Sequence, residues 1–186
     1  MLILASSSVR RYDLLKAAGI PFEAVPVKIE EEVIKAEPPG EHVRRLATEK
    51  ANAAFLKRPE SVVLGADTVV LIGSELMGKP KNDDDAVRML RILSGREHEV
   101  LTGLAILAPN REPAIEVVRT RVWFNPLSDD EIADYIATGE PQDKAGAYGI
   151  QGLGSRFIDR IQGSYSNVVG LPVALVYRLL KGYPER

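Results

Sequence analysis

The hydrophobic positions along this chain fall into two patterns, which together predict an α/β protein. Consecutive β-branched and aliphatic residues predict strands, and apolar residues recurring every three or four positions predict helices. The predicted strands are Leu2–Ala5, Phe22–Val27, Ser61–Ile72, Val100–Leu107, Ala114–Phe124 and Phe157–Ile161. The predicted helices are Val9–Ala18, Glu41–Arg58, one capped by Asn82 and ending at Ser94, one from Ser128 to Thr138, and a last one that begins at Pro172 and buries Val173, Val176, Tyr177 and Leu180.

Turn and capping residues separate these elements. The hydroxyls of Ser6–Ser8 are suited to cap the first helix, and Ser128 with Glu131 forms a capping-box pattern. Gly73-Ser74 predicts a two-residue hairpin turn, and Gly163–Asn167 predicts a turn. The glycine-punctuated segment from Asp143 to Gly154 predicts a binding loop, because frequent glycines let a backbone approach a ligand closely.

One acid, Asp67, interrupts the apolar run of the third predicted strand. A buried carboxylate requires a cation, a metal or hydrogen-bond donors, because burying an unpaired charge costs several kcal/mol. Gly65 and Ala66 leave room beside it for a ligand. Asp67 is therefore a candidate site residue, and the alternative is that it lies in a turn or caps a helix.

Two arginines, Arg10 and Arg11, occupy the first turn of the first predicted helix. Cations at this end oppose the helix dipole, which suggests an anion bound between them; a solvated surface pair is the alternative.

Gly78-Lys79-Pro80 holds a further lysine on a stiff turn after a strand. Residues 73–80 nearly match a P-loop, but Pro80 stands where that motif needs Ser or Thr for magnesium, so a P-loop is rejected.

Composition narrows the classes of function. The 186 residues carry 24 Lys and Arg against 26 Asp and Glu, a net charge of −2 that gives no basic field for nucleic acid or an anionic membrane. The absence of Cys and the presence of only two His argue against a zinc enzyme. His98 is expected to be structural, since nothing near it in sequence pairs with it. With no signal core at its start and no apolar run near about 18 residues, we expect a soluble cytoplasmic protein.

The loops that follow the strands carry an acid pair and several cations. These residues are Glu31, Asp67, Arg10, Arg11, Lys79 and Lys144. Carboxylates suit magnesium shared with a polyphosphate, and the cations suit phosphates. The residues alone therefore leave two alternatives, a magnesium-dependent phosphoanhydride hydrolase and a nucleotide-binding module.

These positions also resemble the Maf (septum-formation inhibitor) family of nucleoside triphosphate pyrophosphatases. The matching segments are Ala5-Ser6-x-Ser8-x-Arg10-Arg11, Lys50-Ala51, Gly65-Ala66-Asp67-Thr68-Val69-Val70, Gly78-Lys79-Pro80, Ser94-Gly95-Arg96-x-His98-x-Val100-x-Thr102, Asp143 to Gly152 (DKAGAYGIQG) and Gly170-Leu171-Pro172. The DKAGAYGIQG loop resembles the branch acting on dTTP and UTP, whereas the branch acting on 7-methyl-GTP has a different loop. Val9 departs from the family, which usually has Pro there.

The resemblance implies one domain over residues 1–186, with a mixed twisted sheet, surrounding helices and two lobes around a central cleft. It also implies a homodimer, a divalent metal (Mg²⁺, or alternatively Mn²⁺) and release of pyrophosphate. By position, it makes Asp67 the proton acceptor, Arg10, Thr68 and Gln151 the residues for base specificity, and Ser6, Arg11, Lys50 and Lys79 the phosphate ligands. Glu31 would hold the metal together with Asp67, and its neighbours Glu30 and Glu32 are the alternatives to Glu31. Lys144 is a further candidate site residue in the loop. The competing class is a regulatory module of septum control that binds nucleotide without turnover.

Overall fold

Three long strands rich in Val, Leu and Ile dominate the sheet. The strands are β1 (Leu2–Leu4), β2 (Phe22–Ala24), β3 (Val62–Ile72), β4 (Glu75–Met77), β5 (Glu97–Leu107), β6 (Ala114–Phe124) and β7 (Ile158–Gln162). In the computed structural model, which describes residues 1–32 and 34–183, they form a seven-stranded sheet of order β2-β1-β3-β5-β6-β7, with β4 paired to β3. β1 is parallel to β2 and to β3, whereas β3–β4 and β6–β7 are antiparallel. The sheet is therefore mixed, as predicted.

The helices begin at the capping residues that the sequence indicates. They are α1 (Val9–Ala17), α2 (Pro39–Phe55), α3 (Asp83–Leu93), α4 (Asp129–Ala137), α5 (Tyr165–Val169) and α6 (Val173–Leu180), with 3-10 turns at Glu140–Asp143, Ala145–Ala147 and Gly152–Phe157. Ser8 and Asn82 accept from backbone N–H groups of α1 and α3, and Ser128 with Glu131 completes the capping box of α4. These caps confirm three predicted helix starts.

Several predicted boundaries, one predicted turn and one predicted buried residue were wrong. β2 ends at Ala24 rather than Val27, since Pro26 cannot donate to a ladder. α2 begins two residues early, at Pro39, where proline is favoured in the first helical turn. The turn predicted at 163–167 instead leads into the short helix α5, where Ser164 Oγ accepts from the Asn167 N–H. Tyr177 of α6 is 55% exposed rather than buried.

The first of two compact units contains residues 1–67, 102–118 and the segment from Gly170 onwards. Successive side chains of β1 point to opposite faces, so each face has its own core. One core contains Leu2, Leu4 and Leu64 of the strands. These side chains pack with Leu15 of α1, with Leu171, which precedes α6, and with Val176 of α6. The other joins Ile3, Ala5 and Val63 to Ala47, Ala51 and Ala54 of α2. β1 and β3 are therefore buried on both faces.

The second unit contains residues 68–101 and 119–169. Its core packs the apolar face of α3 (Met89, Leu90, Leu93) with Tyr135, Phe157 and the aromatic pair Phe124 and Tyr148. The ring of Tyr135 meets Phe157 edge to face, with centroids 5.0 Å apart. The two units match the two lobes of the prediction, and the division falls within β3, between Asp67 and Thr68.

Within the described residues, none of the helices combines the length and the apolar character needed to cross a bilayer.

Candidate active site

Asp67 is buried within β3, so the alternative that it lies in a turn is wrong. Its partner is Lys50 of α2, whose Nζ lies 2.6 Å from Asp67 Oδ1. The same Nζ lies 2.6 Å from Glu31 Oε1. The Lys50 and Asp67 side chains are 12% and 9% exposed, whereas Glu31 is 57% exposed. Lys50 therefore joins a buried carboxylate to an accessible one.

The Glu31–Lys50–Asp67 cluster has the chemistry of a hard-cation site. Two carboxylates converge on one positive charge, which is the donor set that Mg²⁺ accepts when substrate phosphates and water complete its shell. Over residues 1–32 and 34–183, no group of three or more His, Cys, Asp or Glu could hold a metal without such help. Of the acid run 30–32, Glu31 is the residue paired with Lys50 here. The residues therefore fit a metal shared with a substrate.

Arg11 lies in the first turn of α1 and is only 9% exposed. Its Nε donates to the Gly170 carbonyl oxygen at 2.8 Å, and its Nη1 donates to Ser6 Oγ at 3.3 Å. Burial lowers the pKa of the Arg11 guanidinium; the carboxylate of Asp67 raises it, Arg10 lowers it and Glu31 raises it. Arg11 is therefore within electrostatic range of both carboxylates and of the half-buried Arg10.

The first unit thus brings together six predicted site residues. They are Ser6, Arg10, Arg11, Glu31, Lys50 and Asp67. Arginines at a helix start, beside backbone N–H groups and a serine hydroxyl, can bind an anion. A carboxylate beside them can accept a proton or hold a cation. The arrangement is suited to a phosphate-bearing ligand.

The second unit carries the remaining four predicted residues. Thr68 is half-buried in β3, directly after Asp67, and Lys79 is exposed in the turn after β4. That turn is bonded to the glycine-rich loop, because the Gly146 N–H donates to the Gly78 carbonyl oxygen at 3.0 Å. Gln151 is exposed on the same loop. The turn of Lys79 and the loop of Gln151 therefore form one connected surface segment.

Lys144 is 15% exposed and makes contacts within its own loop. Its Nζ donates to the Glu140 carbonyl oxygen at 2.6 Å and to Asp143 Oδ1 at 2.8 Å. These bonds close the turn that leads into the loop. A role for Lys144 toward phosphate stays a prediction, and the observed contacts are structural.

Sequence reasoning missed two residues that contact this loop, Tyr135 and Glu140. The Glu140 carboxylate accepts from the N–H groups of Leu153 and Gly154, and Tyr135 Oη donates to it. The only sequence signal is an acid in Gly139-Glu140-Pro141, which is typical of any turn.

His98 is buried and bonded to Tyr148, with 2.7 Å between Nε2 and Oη. Burial lowers the pKa of His98 to about 4. The imidazole is neutral at physiological pH and anchors Tyr148, a residue of the glycine-rich loop. The expected structural role is confirmed.

Comparison with solved structures defines the class of fold. The chain is similar to the Staphylococcus aureus Ham1 protein, with a TM-score of 0.57 and 15% identity over 98% of this chain and 99% of that one. It is also similar to a HAM1 protein from Coxiella burnetii, with a TM-score of 0.53 and 16% identity over 97% and 98%. The protein therefore has the α/β fold of Ham1 proteins.

The sequence matches the family described as Maf-like protein over residues 1–183, and the chain belongs to this family. A Citrifermentans bemidjiense relative named dTTP/UTP pyrophosphatase is 52% identical over 97% of this chain and 94% of its own length. Relatives with the same name from Koribacter versatilis and Aquifex aeolicus are 49% and 45% identical, over 97% and 96% of this chain and 93% of each relative.

Proposed function

We propose that this protein hydrolyses dTTP and UTP to the nucleoside monophosphate and pyrophosphate. The relatives that carry the name dTTP/UTP pyrophosphatase support this substrate class. The observation that carries the proposal is the Glu31–Lys50–Asp67 cluster next to Arg11, which offers a base, a cation position and phosphate ligands in one unit.

Asp67 is the proton acceptor in this proposal. A water attacks the α-phosphorus, its proton passes to the Asp67 carboxylate, and the bond from the α-phosphorus to the bridging oxygen breaks. The bond electrons leave with pyrophosphate. Lys50, whose Nζ lies 2.6 Å from Asp67 Oδ1, holds this carboxylate in position.

The phosphates are bound by residues at the start of α1 and by two lysines, Lys50 and Lys79. Ser6 and Arg11 are hydrogen-bonded to each other at the start of α1, where backbone N–H groups and a guanidinium bind phosphate oxygens. Lys50 and Lys79 have the same role by family resemblance. The leaving pyrophosphate gains negative charge as the bond breaks, so these cations stabilise the transition state more than the substrate.

Glu31 and Asp67 would hold the divalent metal, Mg²⁺ or alternatively Mn²⁺. When bound, the ion would draw charge from the phosphate oxygens.

Base selection is assigned to Arg10, Thr68 and Gln151. A Gln amide has a donor for O4 and an acceptor for N3–H of uracil or thymine, and cytosine reverses both groups.

Three further features of the proposal rest on the sequence and the resemblance. The whole chain, residues 1–186, acts as one catalytic domain. It forms a homodimer, and it works in the cytoplasm.

Phosphorus NMR of a dTTP reaction in ¹⁸O-labelled water tests the function. The expected products are dTMP that carries the label and unlabelled pyrophosphate. Initial dTDP and orthophosphate would overturn the proposal. Nucleotide binding without any product would instead support the regulatory alternative.

Asp67→Asn keeps the size of the side chain and removes its charge, so turnover should fall on the order of 10²-fold or more. Asp84→Asn, at an exposed position of α3, is the matched control. Near-wild-type kcat in Asp67→Asn would remove Asp67 from the chemistry.

A further inference from the structure

The Glu140 carboxylate caps the 3-10 turn that follows Gln151. Oε2 accepts from the Leu153 N–H at 2.9 Å, and Oε1 accepts from the Gly154 N–H at 3.0 Å. Burial would raise the pKa of this carboxyl, but the two N–H groups and the Tyr135 hydroxyl together lower it, so the group is charged at neutral pH. The capping group therefore comes from a residue 13 positions before Leu153.

Tyr135 extends this contact to the other side of Gln151. Its Oη donates to Glu140 Oε1 at 2.9 Å and accepts from the Gly149 N–H at 3.2 Å. Tyr135 is fully buried on α4 and packs on Phe157, so the hydroxyl is held from a rigid element. The backbone is therefore fixed two residues before Gln151 and two residues after it.

Gln151 itself occupies the N-cap position of the turn but makes no side-chain capping hydrogen bond. The backbone N–H groups that a capping side chain would satisfy already bond to Glu140. The Gln151 residue is exposed. Its amide is thus left available for a ligand, while its backbone is held in place.

The glycines around Gln151 leave no space between the loop and these two side chains. A Cβ at Gly152, where φ is +75°, would lie 2.7 Å from Glu140 Oε2. A Cβ at Gly154 would lie 2.7 Å from Tyr135 Oη and 2.5 Å from the Gly149 carbonyl oxygen. Glycine at both positions is therefore required for the observed bonds.

We infer that Glu140 and Tyr135 are positioning residues for base selection: they fix the loop backbone so that the Gln151 amide presents one hydrogen-bonding edge to the nucleotide base. This inference rests on the proposed function, because it assigns the ligand of Gln151 as a uracil or thymine edge. Neither residue touches the base or the phosphates in this role.

Two variants remove the bonds while keeping the packing. Tyr135→Phe deletes only the hydroxyl, and Glu140→Gln replaces one of the two accepting oxygens by an amide donor. Tyr165→Phe removes a tyrosine hydroxyl from an exposed position of the same unit. Glu97→Gln changes an exposed carboxylate of β5 that pairs with Arg121 at 3.5 Å. These two substitutions are the matched controls.

The first readout is equilibrium binding of the α,β-imido analogues of dUTP and dCTP in magnesium buffer, which needs no turnover. The wild type should prefer the uracil analogue. In Tyr135→Phe and Glu140→Gln this preference should fall on the order of tenfold, because a small displacement of an orienting group is enough to lose its hydrogen bonds. Both controls should keep the preference within about twofold, as expected for sites that do not hold the loop.

The second readout is amide hydrogen exchange over residues 149–154. Exchange at Gly149, Leu153 and Gly154 should accelerate in the two test variants and stay unchanged in the controls. Unchanged exchange, or an equal loss of affinity for both analogues, would overturn the inference. So would a wild type that binds both analogues equally. A wild type that discriminates in binding but does not hydrolyse dTTP would overturn the proposed function and leave this inference standing.

Discussion

Gly65 of β3 lies directly against the backbone of Ala47 in α2. A Cβ added at Gly65 would lie 2.2 Å from the Ala47 carbonyl oxygen and 2.7 Å from the Ala51 nitrogen. Both contacts are with helix backbone, which cannot move aside as a flexible side chain can. This close approach holds Lys50, next to Ala51, within 2.6 Å of Asp67, two residues beyond Gly65.

Gly65→Ala should therefore separate α2 from β3. We expect the free energy of unfolding to fall by about 1–3 kcal/mol, the usual cost of overpacking, and kcat/KM for dTTP to fall on the order of 10²-fold as Lys50 leaves Asp67. Chemical denaturation and steady-state kinetics measure the two effects. For stability, Gly78→Ala is the control, since nothing lies within 4 Å of a Cβ there. Equal stability of the two variants would contradict the packing argument.

Gln151→Ala tests base recognition directly. The variant should lose kcat/KM for dTTP and UTP and narrow their lead over CTP, because a polar site left unpaired penalises the wrong base. Thymine and uracil share the same edge, and the thymine methyl adds only about 1 kcal/mol, so discrimination between them should be modest. The measurement is kcat/KM for dTTP, UTP, CTP and GTP on both proteins. An unchanged selectivity ratio would assign base recognition to other residues.

Because of the buried His98, we expect the folded protein to lose stability in mild acid. Burial lowers its pKa from 6.5 to about 4, so the unfolded chain takes up a proton at a higher pH than the folded protein does. The contribution of neutral His98 is complete above pH 6.5 and is lost as the pH falls toward about 4. The free energy of unfolding of His98→Gln should depend less on pH in this window. An imidazole titration by NMR with a midpoint near 6.5 would contradict the prediction.

Because of Glu37, we expect a second pH range, below that of His98, in which the folded protein loses stability. Two hydrogen bonds from Arg45, at 2.7 and 2.8 Å, hold the pKa of Glu37 at about 2, with His42 adding a smaller effect and burial opposing both. The stability that Glu37 contributes is therefore complete above about pH 4.5 and is lost as the pH falls to about 2. Glu37→Gln should cost about 1–2 kcal/mol at pH 7.

At pH 2 the wild type and Glu37→Gln should unfold with nearly the same free energy. Glu41→Gln, which changes an exposed acid 3.5 Å from Arg44 in the same helix, should change stability by less than about 0.5 kcal/mol at either pH. A difference between the wild type and Glu37→Gln that persists at pH 2 would show that the Arg45 pair is not its source.

The sequence by itself determined the order of most elements and supplied the candidate site residues. Apolar periodicity and capping residues are local properties of a few neighbouring residues, which is why the starts at Ser8, Asn82 and Ser128 were predicted correctly. The requirement that Asp67 have a partner also follows from its buried strand alone. The exposed Tyr177 was mispredicted because helical spacing does not state how wide the buried face is.

Only the tertiary structure decided which side chains meet. The partner of Asp67 is Lys50, 17 residues earlier in the chain, and the partner of His98 is Tyr148, 50 residues later. The loop of Gln151 is held by Glu140 across a turn that carries no distinctive sequence signal. Such contacts depend on how closely helices and loops pack on the sheet, which small residues such as Gly65 permit but do not specify.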